Sequence, residues 1–421
     1  MKRQSHQAVQ PKGAIVIGQH CRGLALVRSL GRRGIPVWTL EPERELLASA
    51  SRYSRNSFPW PDGEDSEQLD YLFALGARHQ LDGWALFPTS DETTVLFARH
   101  HAALGRRFRM TVPPWDVLRW AYDKRLTYRL AADIGVDHPK TFYPKTQDEL
   151  STLDCSFPVI LKPAFKRQSN RFTRDKAWRA DDRHALAARY AEACELVGPD
   201  VVMVQELIPG GGETQFSYAA LCADGRSLAS VTARRTRQYP VEFGHSSCFV
   251  ETFDQPAIEE PARRLLAAMR YTGLVEVEFK YDQRDGHYTL LDINPRVWTW
   301  HGLCGRAGVD FPYLLWCSIH GERVPELRGR PGVRWVRMST DLAAASSEMF
   351  RGRLCLRAYL RSLKGPIEFA TFAADDPMPA LLRVPARAYS LWRRFLLPGF
   401  LWFQSCIASL APRKARAREE T

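Results

Sequence analysis

Apolar and polar positions come in blocks along this chain, and the block length changes along it. The first short apolar run, AIVIG at 14–18, reads as a buried parallel strand. Leu24, Leu26, Val27 and Leu30 then recur at helical spacing, and GIPVWTLE, entered through Gly34, reads as a second strand. This strand–helix–strand unit opens a doubly wound sheet. Its first turn, GQHCRG, is not the GxGxxG that dinucleotide binding uses. A further strand, WALFPTS at 84–90, leads to Asp91 and Glu92 at a helix start. Such carboxylates suit a ligand at a strand's C-terminal edge, and equally suit the helix dipole.

After PPWD at 113–116 the pattern predicts a single helix over 116–134, ended by Gly135. An extended GVDHPKTFYP follows, then a β-rich FPVILKPA at 157–164, a helix over 180–197 and a strand VVMVQELI. FSYAALCADGRSLASVTAR predicts a hairpin turning at Asp224-Gly225. A helix at 257–270, strands LVEVEFKYD and YTLLDINP, and a helical region near 307–321 complete the alternation. From about residue 330, Arg-rich helical segments take over, and GPIEFATFAADDPMPALLR reads as a loop-rich appendage. The expected fold class is therefore α/β plus α+β. The expected division is an N-terminal doubly wound, Rossmann-like domain at 1–112, a central domain at 113–330, and a basic helical extension at 331–421.

Length and charge sharpen this picture. A chain of 421 residues buries two or three cores without staples. The net charge is +12, and Leu381 to Thr421 carries eight Lys/Arg against two acids, a net of +6. Half of the excess thus lies in the last tenth of the chain, which suits a tail near an anionic surface, or a solvated tail, more than a basic active domain. Nucleic acid is not an expected partner. FLLPGFLWFQSCIASL, at 395–410, lacks charges but is shorter than the ~20 residues of a membrane span. It reads either as an interfacial helix flanked by Arg393, Arg394 and Arg413, giving peripheral contact with the inner face of a membrane, or as a helix packed on the protein body. Nine scattered cysteines without a CxxC pair point to reduced thiols and a cytoplasmic protein, and offer zinc no ligand spacing. The polar N-terminus, MKRQSHQAVQPKG, does not read as a signal peptide.

The strongest chemistry lies in GLVEVEFKYDQRDGHYTLLDINPR. Asp285-Gly286 signals a turn, and a symmetric hairpin centred there sets Glu278 opposite Asp292. Alternation puts Asp292, Asn294 and Arg296 on one face. Opposed carboxylates repel unless a cation compensates, and hard oxygen donors with open positions are what Mg²⁺ prefers.

These residues resemble the ATP-grasp superfamily, and the resemblance covers roughly residues 12–325. It implies a Rossmann-like domain ahead of the two-lobed ATP-grasp fold, with lobes at 113–205 and 206–330. It places Glu278, Asp292 and Asn294 as ligands of Mg²⁺, replaceable by Mn²⁺, bridging the phosphates of ATP. Asp292 stands where the family often has Glu. Arg296 resembles the arginine that steadies the acyl substrate or the transferring phosphoryl group. Lys124, in YDKRLTYRLAADIGVDHPKT, and Lys162, in FPVILKPA, resemble the two ATP lysines. VQELIPG resembles the adenine hinge, with the backbone around Gln205, Glu206 and Ile208 facing the base and Glu213 accepting from the ribose.

One departure lies after Lys162. Where many relatives carry a Gly-rich loop, AFKRQSNRFTRDKAW has no glycine and offers Lys166, Arg167, Arg171, Arg174 and Lys176. A second basic stretch, TARRTRQYP, offers Arg234, Arg235 and Arg237 to a substrate carboxylate, with Arg237 assigned to catalysis beside Arg296. His245, His287 and His301 show no triad partner. The resemblance implies an ATP-dependent carboxylate–amine ligase acting on small molecules. A phosphotransferase on the same fold and a non-catalytic nucleotide-binding protein are the alternatives, and the missing glycine fingerprint weighs against a nicotinamide oxidoreductase.

Overall fold

The computed structural model describes residues 12–18, 20–42, 47–165, 169–175, 177–240 and 246–382. Lys166, Arg167, Lys176, His245 and the 395–410 segment with its flanking arginines lie outside the described residues. The chain divides into two units, Met1–Thr371 and Phe372–Thr421. Of the second, residues 372–382 are described, where the Asp376 N–H donates to the Ala373 carbonyl at 3.1 Å. All the strands below belong to the first.

The first sheet is parallel and holds β1 (Ala14–Ile17), β2 (Val37–Glu41), β3 (Ser54–Pro59), β4 (Ala85–Pro88) and β5 (Arg109–Met110) in the order β3-β2-β1-β4-β5. β1, β2 and β4 are buried along their whole lengths, as continuous apolar runs require. β3 is mostly exposed and polar, which suits an edge strand and hides it from a search for apolar runs. Order reverses at β1, and the helix Asp91–Arg99 starts just beyond β4, capped by the Ser90 hydroxyl, which accepts from the Thr93 N–H at 3.1 Å.

The second sheet is antiparallel: β6 (Thr141–Phe142), β7 (Val159–Pro163), β8 (Trp178–Ala180) and β9 (Val202–Glu206), in the order β6-β9-β7-β8. Ahead of it, the single helix expected over 116–134 is two helices, Trp115–Tyr122 and Lys124–Asp133. Asp123 breaks them. Its backbone is extended and its carboxylate accepts from the Arg125 N–H at 3.0 Å, so it caps the second helix instead of continuing the first. Lys124 thereby becomes the first residue of a helix rather than a mid-helix surface residue.

The third sheet contains β10 (Gln215–Ala223), β11 (Arg226–Tyr239), β12 (Ser246–Thr252), β13 (Gly273–Tyr281), β14 (Tyr288–Asn294), β15 (Leu327–Arg328), β16 (Arg334–Val336) and β17 (Ile367–Phe369). Its order is β14-β13-β10-β11-β12-β16-β17, with β15 beside β11. β16 and β17 fall in the segment expected to be helices and loops. They extend the sheet, and the helices Met338–Phe350 and Leu356–Ser362 lie between them in sequence. Both faces of the third sheet are apolar. Tyr218, Val275, Val277, Phe279, Leu290 and Ile293 share one core, and Ala219, Leu221, Val231, Leu274, Trp298 and Trp300 share another. Towards the end of β10 and β13 the second face turns polar, through Ser217, Glu276 and Glu278, and the candidate site begins there.

Candidate active site

The register of the third sheet fixes which side chains meet. In β13 and β14, Glu278 is opposite Asp292 and Glu276 is opposite Asn294. The pairing expected from the sequence therefore holds at the carboxylates. Nearer the turn, Phe279 is opposite Leu290, so Leu291 is an extra residue in β14. This bulge lets Leu290 and Ile293, three residues apart, enter the same core while Asp292 faces the other way. The Tyr128 hydroxyl secures it, donating to the Leu291 carbonyl at 2.7 Å.

Two directly opposed carboxylates are unfavourable alone. Each has a cation: Lys124 Nζ donates to Asp292 Oδ1 at 2.5 Å, and Arg235 donates to Glu278 Oε1 at 2.7 Å. A third carboxylate, Glu276, lies beneath them and is 3 % exposed. Burial, then the neighbouring Glu278 charge, push its pKa well above the carboxylate range. It accepts from Asn294 Nδ2 at 3.0 Å and from the Trp300 indole N–H at 2.8 Å. That bond fixes which way the Asn294 amide points: its nitrogen is used inward, and Oδ1 is left for the cleft, where Arg296 donates to it at 3.3 Å.

Arg296 also donates to Asp91 Oδ1 at 2.5 Å. Burial opposes its charge, but Asp91, Glu276 and Asp292 together outweigh burial and raise the guanidinium's pKa. Asp91 thus serves the site from the edge of the first sheet, while Ser90 does the helix capping. Lys162, near the end of β7, donates to Gln205 Oε1 at 3.0 Å, and Gln205 Nε2 in turn donates to Thr141 at 2.9 Å. Lys124, Lys162, Glu278, Asp292, Asn294 and Arg296 all line one cavity of about 210 Å³.

The remaining expected residues lie apart from these. Glu206, Ile208 and Glu213 line a second cavity of about 820 Å³, and Gln215 lines both. Lys280 braces the hinge, donating to the Ile208 and Gly210 carbonyls at 2.7 Å each. Burial lowers its pKa to about 8, against the pull of Glu213 and Asp282. The Ile208 carbonyl is therefore occupied from within. The Gln205 side chain orients Lys162 rather than facing a ligand alone, Glu206 pairs with Arg284 at 2.7 Å, and Glu213 accepts from the Gly211 N–H at 2.9 Å.

Arg237 requires a correction. It does not line the smaller cavity with Arg296; Arg235 does. Between them β11 carries one extra residue, so Arg235 is opposite Val250 and Arg237 is opposite Phe249. Arg237 instead grips the fully buried Asp341 through two bonds of 2.7 and 3.0 Å, and donates to Ser362 at 3.1 Å. Its carboxylate partner is internal. Sequence reasoning also missed Glu276 and Lys280, and it offered Arg235 to a substrate carboxylate where the structure pairs it with Glu278. Glu276 was accessible to it, since VEVEF alternates and residue 276 shares the face of 278. Arg235 needed the register of β10 with β11, which sets it opposite Gln215.

The donor set suits a hard divalent cation. Glu278, Asp292 and the Asn294 Oδ1 are oxygen donors turned into one cavity, and the amide is oriented for the purpose by Glu276. Among the described residues no group of three or more His, Cys, Asp or Glu is arranged for a metal ion, so the set consists of two carboxylates and an amide.

The site is thus a cavity lined by both cations and carboxylates, set between the small antiparallel sheet and the end of the larger sheet. Part of the chain matches an ATP-grasp family. The family model described as "ATP-grasp in the biosynthetic pathway with Ter operon" matches residues 199–339. The chain is 22% identical over 224 residues to the D-aspartate ligase of Enterococcus faecium (strain Aus0004), a match taking in 51% of this chain and 53% of that protein. It thus spans about half the length of that relative. Among solved structures, the L-amino acid ligase of Bacillus licheniformis aligns with a TM-score of 0.58 at 15% identity, covering 73% of this chain and 74% of that one. The biotin carboxylase domain of Hydrogenobacter thermophilus 2-oxoglutarate carboxylase, in complex with MgADP and bicarbonate, aligns with a TM-score of 0.62 at 15% identity, covering 77% and 73%.

Proposed function

We propose that this chain is an ATP- and Mg²⁺-dependent carboxylate–amine ligase. The observation that carries this reading is the convergence of Lys124, Lys162 and Arg296 on a cavity floored by Glu278, Asp292 and Asn294. A carboxylate has to approach a polyanion, so the barrier is one of positioning and charge neutralisation. Lys124 and Lys162 hold phosphate charge, and Arg296, steadied by Asp91, holds the acid or the transferring phosphoryl group. Glu278, Asp292 and Asn294 would hold Mg²⁺, or Mn²⁺ in its place, which supplies further neutralisation of phosphate charge.

In the first step a substrate carboxylate oxygen attacks the γ-phosphorus and ADP leaves, giving an acyl phosphate. In the second, an amine attacks the acyl carbon, inorganic phosphate leaves, and the nitrogen loses a proton as the C–N bond forms. No protein nucleophile takes part. The likeness to an amino acid ligase and a D-aspartate ligase supports amino acids as the first substrates to try.

We read the first sheet as a Rossmann-like pre-ATP-grasp domain, the adenine as lying along Gln205–Ile208, and the ribose as facing Glu213. Cytoplasmic location and peripheral membrane contact through the basic C-terminal region rest on sequence. No helix among the described residues is long and apolar enough to cross a membrane.

The test is ADP release measured over pools of amino acids and other carboxylates, with Asn294→Ala as control. ADP release that needs both an acid and an amine is expected, and Asn294→Ala should abolish it. A stable phosphorylated product formed without an amine would favour a phosphotransferase. Unchanged turnover in Asn294→Ala would remove the metal assignment.

A further inference from the structure

Between β16 and β17 the chain carries a run of charge of one sign. RGRLCLRAYLRSLK, from Arg351 to Lys364, holds Arg351, Arg353, Arg357, Arg361 and Lys364 and no carboxylate. All of these cations are exposed. Arg353 is offset by Glu348, 3.8 Å away, so the charges that matter most are those of Arg357 and Arg361 on the helix Leu356–Ser362. One side of this helix is pinned to the body. Tyr359 is buried, with the Arg237 guanidinium 5.1 Å from its ring centroid, and the Ser362 hydroxyl accepts from Arg237 at 3.1 Å. Residues 359 and 362 are three apart and so share a helix face.

The outward side carries two rows. Leu356 and Leu360 are 61 % and 53 % exposed, and their spacing of four sets them side by side. Arg357 and Arg361, each one residue further on, form a second row beside them. Single exposed leucines are ordinary. A row of leucines flanked by a row of arginines, on a helix fixed from behind, suits a lipid interface. The apolar side chains enter the acyl boundary there, and the guanidinium groups sit among anionic headgroups. A nucleic acid would use the arginines but would leave the leucines in water.

We propose that the outward face of the helix Leu356–Ser362, through Leu356, Leu360, Arg357 and Arg361, docks on an anionic phospholipid surface. This rests on the reading that the basic C-terminal region meets a membrane, and it moves the contact from the tail to the folded body. Because Tyr359 and Ser362 tie the helix to Arg237 in β11, docking also fixes how the third sheet faces the membrane.

The experiment is co-sedimentation of the full chain with vesicles of phosphatidylcholine alone, and of equal parts phosphatidylcholine and phosphatidylglycerol. The wild type should bind the anionic vesicles and not the neutral ones, and added salt should weaken binding. Arg357→Gln with Arg361→Gln should lower the affinity about 25-fold, or about fivefold per charge. Leu356→Gln with Leu360→Gln should lower it about tenfold or more. All four positions are exposed, so thermal melting should match the wild type in both variants. A third variant changes Arg413, Lys414, Arg416 and Arg418 of the tail to Gln, and should lose less than the leucine variant. If the folded leucine variant binds within twofold of the wild type while the tail variant does not bind, the helix proposal is overturned and the membrane reading stands. If the wild type binds neither vesicle, the membrane reading itself fails. Binding of DNA that the arginine variant loses and the leucine variant keeps would assign the face to nucleic acid. A dimer of the free chain that the leucine variant dissociates would assign it to a second copy. Either result overturns the proposal.

Discussion

The two cavities that hold the candidate residues share Gln215 and are built in different ways. The smaller is floored by a single hairpin, in which Glu276, Glu278, Asp292 and Asn294 are set by one β-register, and Lys124, Lys162 and Arg296 converge on it. The larger joins a hinge near residue 206 to a helix near residue 344, held together by an ion pair between positions 104 apart. The first needs only local strand geometry, so its charges can be opposed at short range and compensated at the same spot. The second depends on a long-range clasp, so its shape follows the stability of one buried contact. Chemistry that must be accurate to an ångström belongs in the first kind of site. Selectivity between ligands can be built into the second, where a wall can be added without disturbing the hairpin.

This contrast is most directly broken at Asp341. Asp341→Ala would leave the nearly buried Arg237 guanidinium without its carboxylate, and loss of one partner of a buried pair costs about 3–5 kcal/mol. Denaturant unfolding should show a loss of this size. If the variant were as stable as the wild type, the clasp would not be what holds the wall. Asp292→Asn tests the other cavity. It removes a proposed metal ligand and the partner of Lys124 together, and turnover should fall by about 100-fold or more, with the fold retained. Steady-state ADP release checks this. A fall of less than tenfold would mean that the hairpin is not where phosphate charge is handled.

How much of this could be read from the sequence follows the same division. The opposition of Glu278 and Asp292 was legible because alternation and a turn signal at Asp285-Gly286 suffice to set it. The Leu291 bulge was not, since its cause is the need to seat both Leu290 and Ile293 in one core. Arg237 was misread because alternation alone gives Arg235 and Arg237 the same surroundings. The extra residue in β11, and Asp341 far along the chain, separate them. β16 and β17 are three residues each, with one charge apiece, so neither holds an apolar run long enough to announce it, and their pairing comes from the sheet already formed. The helix break at Asp123 was also missed, because apolar residues resume at Leu126 and one polar turn is common within a single helix.

A smaller effect distinguishes the hinge from the hairpin through pH. Burial lowers the pKa of Lys280 to about 8, below its ordinary value of 10.5. Between these two values the unfolded chain binds a proton that the folded chain has released, so this residue makes stability rise with pH across that window. Below pH 8 both states carry the proton, and the residue contributes no slope. Unfolding free energies of the wild type and Lys280→Met, measured from pH 7 to 10, should show the wild type gaining on the variant as pH rises. A difference independent of pH would mean that the hinge lysine is not held in a desolvated site.

The smallest expected effect lies at the join between local and long-range design. Asp123 ends one helix and caps the next, and its carboxylate also takes Arg125 Nε at 2.9 Å. Removing a cap of this type typically costs about 1 kcal/mol. In Asp123→Ala that loss should come with a change the stability figure does not capture. Helix-forming residues flank position 123 on both sides, so without the cap the two helices are free to merge, and Lys124 would then turn away from Asp292. Asp123→Ala should therefore weaken ATP binding several-fold more than Asp123→Asn, which keeps the cap. Equal affinity in the two variants, measured by calorimetry, would show that Lys124 finds Asp292 through the salt bridge alone, without the helix start to aim it.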